Sequence, residues 1–178
     1  MLRYLCIIQA RLTSTRFPNK VLATVNGKTL VKRVWDAARS SWADKVIVAW
    51  PERYPDLDQN NVLERFRRVS REFPSRYIIR ITSDCPLLTR FVINEAISEF
   101  EKRVRSNAGT QYYCNRDKYQ DGFDVQIFTS FLLHNNYATH KEHVITPEKH
   151  ATPDKFLSVD NKLDLARVRN FARYELGH

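Results

Sequence analysis

Residues 5–20 read Leu5-Cys6-Ile7-Ile8-Gln9-Ala10-Arg11-Leu12-Thr13-Ser14-Thr15-Arg16-Phe17-Pro18-Asn19-Lys20, and the change of character inside them decides the fold. Leu5 to Ile8 is a short apolar run with β-branched members, the pattern of a strand buried on both faces of a parallel sheet. Polarity then rises at once, with Gln9, Arg11, Thr13, Ser14, Thr15, Arg16 and Lys20 following in one loop. Three fixed cations with hydroxyls and loop N–H groups, launched from a strand's carboxyl end, suit a polyphosphate. Open α/β sheets bind their ligands at that edge. A solvated basic loop would have the same composition, and the stretch matches neither the glycine-rich phosphate loop nor the dinucleotide fingerprint.

Outward from this stretch, strands and helices alternate. Gly27 marks a turn, Thr29 is a cap, and Leu30, Val31, Val34, Trp35 and Ala38 recur at helical spacing, predicting a helix over ~30–40. Lys45–Ala49 reads as the next strand, completing a parallel βαβ unit. Trp50 to Asp58 is irregular, and a helix follows from about Asn61, with Val62, Leu63, Phe66, Val69 and Phe73 as its apolar stripe. Its Arg65, Arg67, Arg68 and Arg71 are expected to form a mainly solvated face. Arg76–Ile81 is the third strand, and a helix is expected over Phe91–Val104. Thr110–Cys114 and Phe123–Phe128 read as strands flanking the Asp121-Gly122 turn. A helix over ~130–138, a last strand over Phe156–Val159 and a closing helix over ~161–175 end the chain. The expected architecture is one α/β domain over residues 1–178, with a three-layer, mostly parallel, Rossmann-like sheet containing one reversed strand.

The chain has 178 residues, enough for one substantial core, with 43% hydrophobic and 28% charged residues, an ordinary globular balance. No apolar run approaches the ~20 residues that span a bilayer, and no basic start precedes an apolar signal core. A cytoplasmic protein with no membrane partner is therefore expected. Cys6, Cys85 and Cys114 are far apart and lack metal-site spacing, so reduced thiols are expected. The net charge of +9 allows a nucleic-acid partner, yet Lys and Arg are spread along the chain and no reader motif appears. An anionic small molecule accounts for the basic loop equally well. His134, His140, His143 and His150 fit no zinc spacing.

Two aspartates follow predicted strands. Asp84, after the third strand, is either a ligand for a divalent ion bridging phosphates or a turn aspartate. Asp160 is either a second ligand or a cap for the closing helix, in which Asn161 and Asp164 form a capping pair.

The run from Gln9 to Lys20 resembles the opening signature of the sugar-nucleotide cytidylyltransferases, the family of CMP-KDO synthetase and acylneuraminate cytidylyltransferase. It is most similar to the spore-coat polysaccharide F branch. Gln9, Ala10, Arg11, Ser14, Thr15, Arg16, Pro18 and Lys20 stand in the family's pattern, and Asn19 replaces its glycine. Asn tolerates a positive φ better than most residues. Arg80-Ile81-Thr82-Ser83-Asp84-Cys85-Pro86-Leu87 resembles the family's Arg-Ile-Thr-Gly-Asp-Cys-Pro-Leu, whose aspartate binds magnesium. Ser158–Leu165 is similar to its Val-Asp-Thr-x-x-Asp-Leu, Asp121–Phe128 to the spore-coat Asp-Gly-Leu-Asp-Val-Glu-Val-Phe, and Lys141–Pro147 to its Arg-Glu-His-Val-Thr-Pro.

The resemblance implies the nucleotide-diphospho-sugar transferase type of fold. It also implies transfer of CMP from CTP, or of another nucleotide from its triphosphate, to a sugar or sugar acid with release of pyrophosphate, in cell-surface polysaccharide biosynthesis. Lys20, Arg11 and Asp84 become the catalytic set, and Gln9, Ala10, Arg11, Ser14, Arg16, Lys20 and Ser83 the nucleotide-binding set. Mg2+ falls to Asp84 and Asp160, and Asp124 and His143 become candidate substrate contacts. No residue stands out as a general base. A homodimer is compatible with the family, and nucleic acid is not expected as a partner. The family has a longer stretch where Trp50–Asn60 stands here, which keeps open a catalytically weak or inactive nucleotide-sugar-binding relative. A basic nucleic-acid-binding protein rests on charge alone.

Overall fold

The computed structural model describes residues 1–12, 14, 16–58, 60–135 and 157–175. Its core is a sheet in the order β4-β1-β5-β7-β6, built from β1 (Leu2–Gln9), β4 (Lys45–Ala49), β5 (Ser75–Thr82), β6 (Tyr112–Cys114) and β7 (Gln126–Thr129). β1 pairs in parallel with β4 and β5, and β7 is the reversed strand, antiparallel to β5 and β6. The mainly parallel α/β sheet with one reversed strand is the architecture the sequence predicts.

Helices cover both faces. Alternation along β1 sends Tyr4, Cys6 and Ile8 to one side, where they meet α1 (Leu30–Arg39) and α3 (Arg90–Ser106) through Val34, Ala38, Ile93, Ala96 and Phe100. Leu5 and Ile7 go to the other side, against Phe66 and Val69 of α2 (Val62–Glu72) and Leu132 and Leu133 of α4 (Ser130–Asn135). Burial on both faces explains the continuous apolar run with which β1 begins. The closing helix, α5 (Lys162–Glu175), packs instead on the hairpin β2 (Thr24–Val25) and β3 (Lys28–Thr29), joining Val168 and Ala172 to Val25 and Leu30. Asn26 and Gly27 both take positive φ in that hairpin, the chemistry of a tight primed turn.

Three local expectations change. Leu157–Val159 is not a strand: it is tied by Leu157 N–H to Asp121 O at 3.0 Å and Val159 N–H to Asp84 O at 2.8 Å, too few bonds for a ladder. β7 starts at Gln126 because Val125 is taken up by Asn115, whose Oδ1 accepts from Val125 N–H at 2.7 Å. Arg65, expected on the solvated face of α2, is only 1% exposed.

Candidate active site

The carboxyl ends of β1 and β5 lie side by side, since Gln9 pairs with Thr82 and the Ser83 N–H donates to Gln9 O at 3.0 Å. The basic loop leaves β1 at this edge, and Asp84 leaves β5 beside it. Asn19 adopts φ 56°, in the left-handed region that its amide tolerates, and starts a 3₁₀ turn over Lys20–Leu22. The Ala23 N–H closes that turn on Lys20 O at 2.9 Å, so the Lys20 side chain is aimed inward and only 5% of the residue is exposed.

Lys20 Nζ donates to Asp84 Oδ2 at 2.7 Å and to Asp160 Oδ1 at 3.0 Å. Arg16 Nη2 donates to the other oxygen of Asp160 at 3.0 Å. One ammonium therefore gathers two carboxylates from opposite ends of the sequence. Burial acts against the Lys20 charge, but Asp84 and then Asp160 outweigh it and hold its pKa above the ordinary value. Burial likewise works against ionised Asp84, and the Lys20 charge overcomes it, so its carboxyl lies below the usual range.

The cap and the ligand candidate are separate residues. Asn161 Oδ1 accepts from Leu163 N–H at 2.8 Å and Asp164 N–H at 3.0 Å, while Asp164 Oδ2 accepts from Asp160 N–H and Asn161 N–H, each at 3.0 Å. These two side chains cap α5, and the Asp160 carboxylate turns to Lys20 and Arg16 instead.

The remaining predicted residues divide. Arg11 is exposed at the edge, and Gln9 is half-buried where β1 ends. Ala10, Ser14 and Ser83 are buried, Ser14 Oγ accepting from Phe17 N–H at 3.4 Å. All three residues are almost wholly enclosed. Asp124 is half-buried, with Oδ1 3.4 Å from Arg116 Nε and Oδ2 accepting from Gly122 N–H at 3.4 Å. His143 and its motif, with Thr13 and Thr15, lie outside the described residues.

Two features escape a reading of the sequence. Asp121 appears there as half of a turn signal and the start of a matched motif, with no role assigned, yet its Oδ2 accepts from Ser158 Oγ at 2.7 Å, and burial followed by its bond to Asp124 pushes its carboxyl up to about 6. Arg65 and Arg80 are buried guanidiniums, and neither the helix stripe around Arg65 nor the motif that Arg80 opens signals that burial; burial, then the nearby charge of Arg11, lowers the Arg65 pKa.

Asp84 and Asp160 present hard oxygen ligands around one point, now held by Lys20. Mg2+ commonly binds through one or two carboxylates and completes its shell with phosphates and water, so this pair fits it. Among the described residues no larger group of His, Cys, Asp and Glu could hold a metal, and no helix is long and apolar enough to cross a membrane.

A family profile described as cytidylyltransferase matches residues 5–51, which contain β1, the basic loop and α1. Over that stretch the chain is similar to the cytidylyltransferases. It is 27% identical over 140 residues to the 3-deoxy-manno-octulosonate cytidylyltransferase of Syntrophotalea carbinolica, covering 69% of this chain and 56% of that protein. It is 30% identical over 114 residues to the enzyme of the same name from Trichlorobacter lovleyi, covering 56% of this chain and 45% of that one. The chain thus spans about half the length of the curated relatives it matches. The fold is that of a cytidylyltransferase from Leptospira borgpetersenii, with a TM-score of 0.77 at 18% identity over 98% of this chain and 88% of that one. It is also that of CMP:2-keto-3-deoxy-manno-octonic acid synthetase complexed with CTP, with a TM-score of 0.70 at 14% identity over 97% of this chain and 99% of that one. These cytidylyltransferase folds are the mixed, mainly parallel type seen here.

Proposed function

We propose that this protein transfers CMP from CTP to a hydroxyl of a sugar or sugar acid, releasing pyrophosphate, in building a cell-surface polysaccharide. The observation that carries this reading is the convergence of Lys20, Asp84, Asp160 and Arg16 at the ligand-binding edge of the sheet. The spore-coat branch remains the preferred placement, on the match from Gln9 to Lys20.

In the reaction the sugar oxygen forms a bond to the α-phosphorus of CTP, the bond from that phosphorus to the β-phosphate oxygen breaks, and the hydroxyl proton passes to solvent. The transition state carries its charge on phosphate oxygens, so positioning and neutralisation supply most of the catalysis. Arg11 and Arg16 are assigned to the triphosphate, and Lys20 would reach it by exchanging a carboxylate partner for a phosphate one. Mg2+ held by Asp84 and Asp160 would supply further neutralisation of the phosphate oxygens. Asp124 is assigned to the sugar side, and Ala10 and Ser83 to the nucleotide side. The protein is read as cytoplasmic and without a nucleic-acid partner.

Pyrophosphate release, measured with each nucleoside triphosphate, Mg2+ and a panel of sugar acids, tests the proposal. CTP-dependent release supports it, CTP binding without release makes the chain a binding relative, and the absence of both release and binding overturns the reading. Asp160→Asn should cut turnover roughly a hundredfold while costing under about 1 kcal/mol of stability, since its side chain is 38% exposed and α5 keeps its own caps.

A further inference from the structure

Beside the charged junction the sheet edge carries a second polar cluster, in which a buried guanidinium grips two amides. Arg80, only 6% exposed, lies in β5 on the α2–α4 face, the side shared with Ile78. Its Nε and Nη2 donate to Gln9 Oε1 at 3.1 and 2.7 Å, and its Nη1 donates to Gln126 Oε1 at 2.6 Å. A guanidinium has donors only, so the end of Gln9 that it holds is the carbonyl oxygen. A glutamine in water can turn either end outward. Here two hydrogen bonds to one oxygen remove that freedom. The amide nitrogen is the end left over, and it has no hydrogen-bond partner among the described residues. It stands where β1 gives way to the basic loop, next to Ala10 and Arg11.

We propose that Arg80 is a positioning residue that fixes Gln9 as a hydrogen-bond donor to the nucleobase and so selects cytosine over uracil. This rests on the CTP reading above. The two bases share a carbonyl at ring position 2 and differ at positions 3 and 4, where cytosine has an acceptor nitrogen and an amino donor and uracil an N–H donor and a carbonyl acceptor. A fixed donor at Gln9 meeting position 3 pairs with cytosine and sets donor against donor with uracil. The rotated amide would reverse that preference, so holding the rotamer holds the specificity. Because the oxygen is gripped by a buried, bidentate contact, the choice is made before the nucleotide arrives.

The test is calorimetric binding of CTP and UTP, each with Mg2+, to the wild type, Gln9→Glu and Arg80→Met. Glutamate keeps an oxygen on Arg80 but puts an acceptor where the amide nitrogen stood. Its added charge weakens both nucleotides alike, so the ratio of their affinities is the readout. Gln9→Glu should lower the CTP-over-UTP ratio roughly tenfold or more, and Arg80→Met should move it toward unity. An Arg80 that served only packing would shift both affinities together and leave the ratio alone. A wild type that binds CTP, with an unchanged ratio in Gln9→Glu, overturns the inference and leaves the proposed function intact. A wild type that binds neither nucleotide overturns both. Should Arg80→Met fail to fold, Gln9→Glu decides the question alone.

Discussion

Asp84 and Asp160 share one buried ammonium, whereas Asp121, close by at the same sheet edge, has a second carboxylate, Asp124, and a serine hydroxyl for neighbours. The segment Leu157–Val159 touches both regions, donating to Asp121 O with one N–H and to Asp84 O with another. The same residue type in nearly the same place thus meets opposite electrostatics. Lys20 draws Asp84 below the usual carboxylate range against the effect of burial, while burial and Asp124 raise Asp121 to about 6. Asp84 is thus kept charged to lower pH than an ordinary carboxylate, and Asp121 keeps its proton to higher pH. That contrast separates a site able to meet a cation from one that fixes a turn.

The signs of the pH dependence follow. Asp84 has a depressed folded pKa, so its contribution is present above the unfolded value near 3.9 and is lost as pH falls through the folded one. Asp121 is the reverse: between about 4 and about 6 the native state holds a proton that the unfolded chain has released, and stability falls as pH rises across that window.

The strongest way to break the contrast is Lys20→Met, which should make the first pair behave like the second. With no ammonium between them, two partly buried carboxylates face each other, and stability at pH 7 should drop by about 3 kcal/mol. Much of that should return near pH 5, where protonation relieves the repulsion, as urea denaturation at the two pH values would show. A loss that is the same at both would mean that Lys20 acts by packing rather than charge.

Gly122→Ala attacks the second region through its backbone. Gly122 has φ 102°, and an added Cβ would lie 2.6 Å from the Leu157 carbonyl carbon and 2.8 Å from the Ser158 nitrogen. The turn and the segment leading to Asp160 cannot both stay in place, so a loss of about 2–3 kcal/mol is expected by thermal or chemical denaturation. A silent substitution would mean that this contact is not held in solution.

The mildest change, Asp121→Asn, sharpens the comparison. The amide can still accept from Ser158 and can donate to Asp124, so stability at pH 8 should rise by about 1–2 kcal/mol, discounted for partial exposure. The downward slope of stability between pH 4 and 6 should flatten. An unchanged slope would assign the proton to another group.

Much of this was legible in the chain itself. The both-sided apolar character of Leu5–Ile8, the helical spacing of Leu30–Ala38 and the stop at Pro74 determined strands, helices and their α/β order, because local periodicity reports which faces are buried. Asn161 and Asp164 announced their cap by spacing alone. The sequence also showed cations after β1 and carboxylates after β5 and before α5. Only the tertiary structure decided that Lys20 stands between Asp84 and Asp160, that Arg65 is buried, that Leu157–Val159 bridges without forming a strand, and that Arg80 holds the oxygen of Gln9. Each depends on groups far apart in the chain meeting at one sheet edge. There burial and the sign of the nearest charge set pKa values and rotamers, and neither quantity is a property of a residue's neighbours in sequence.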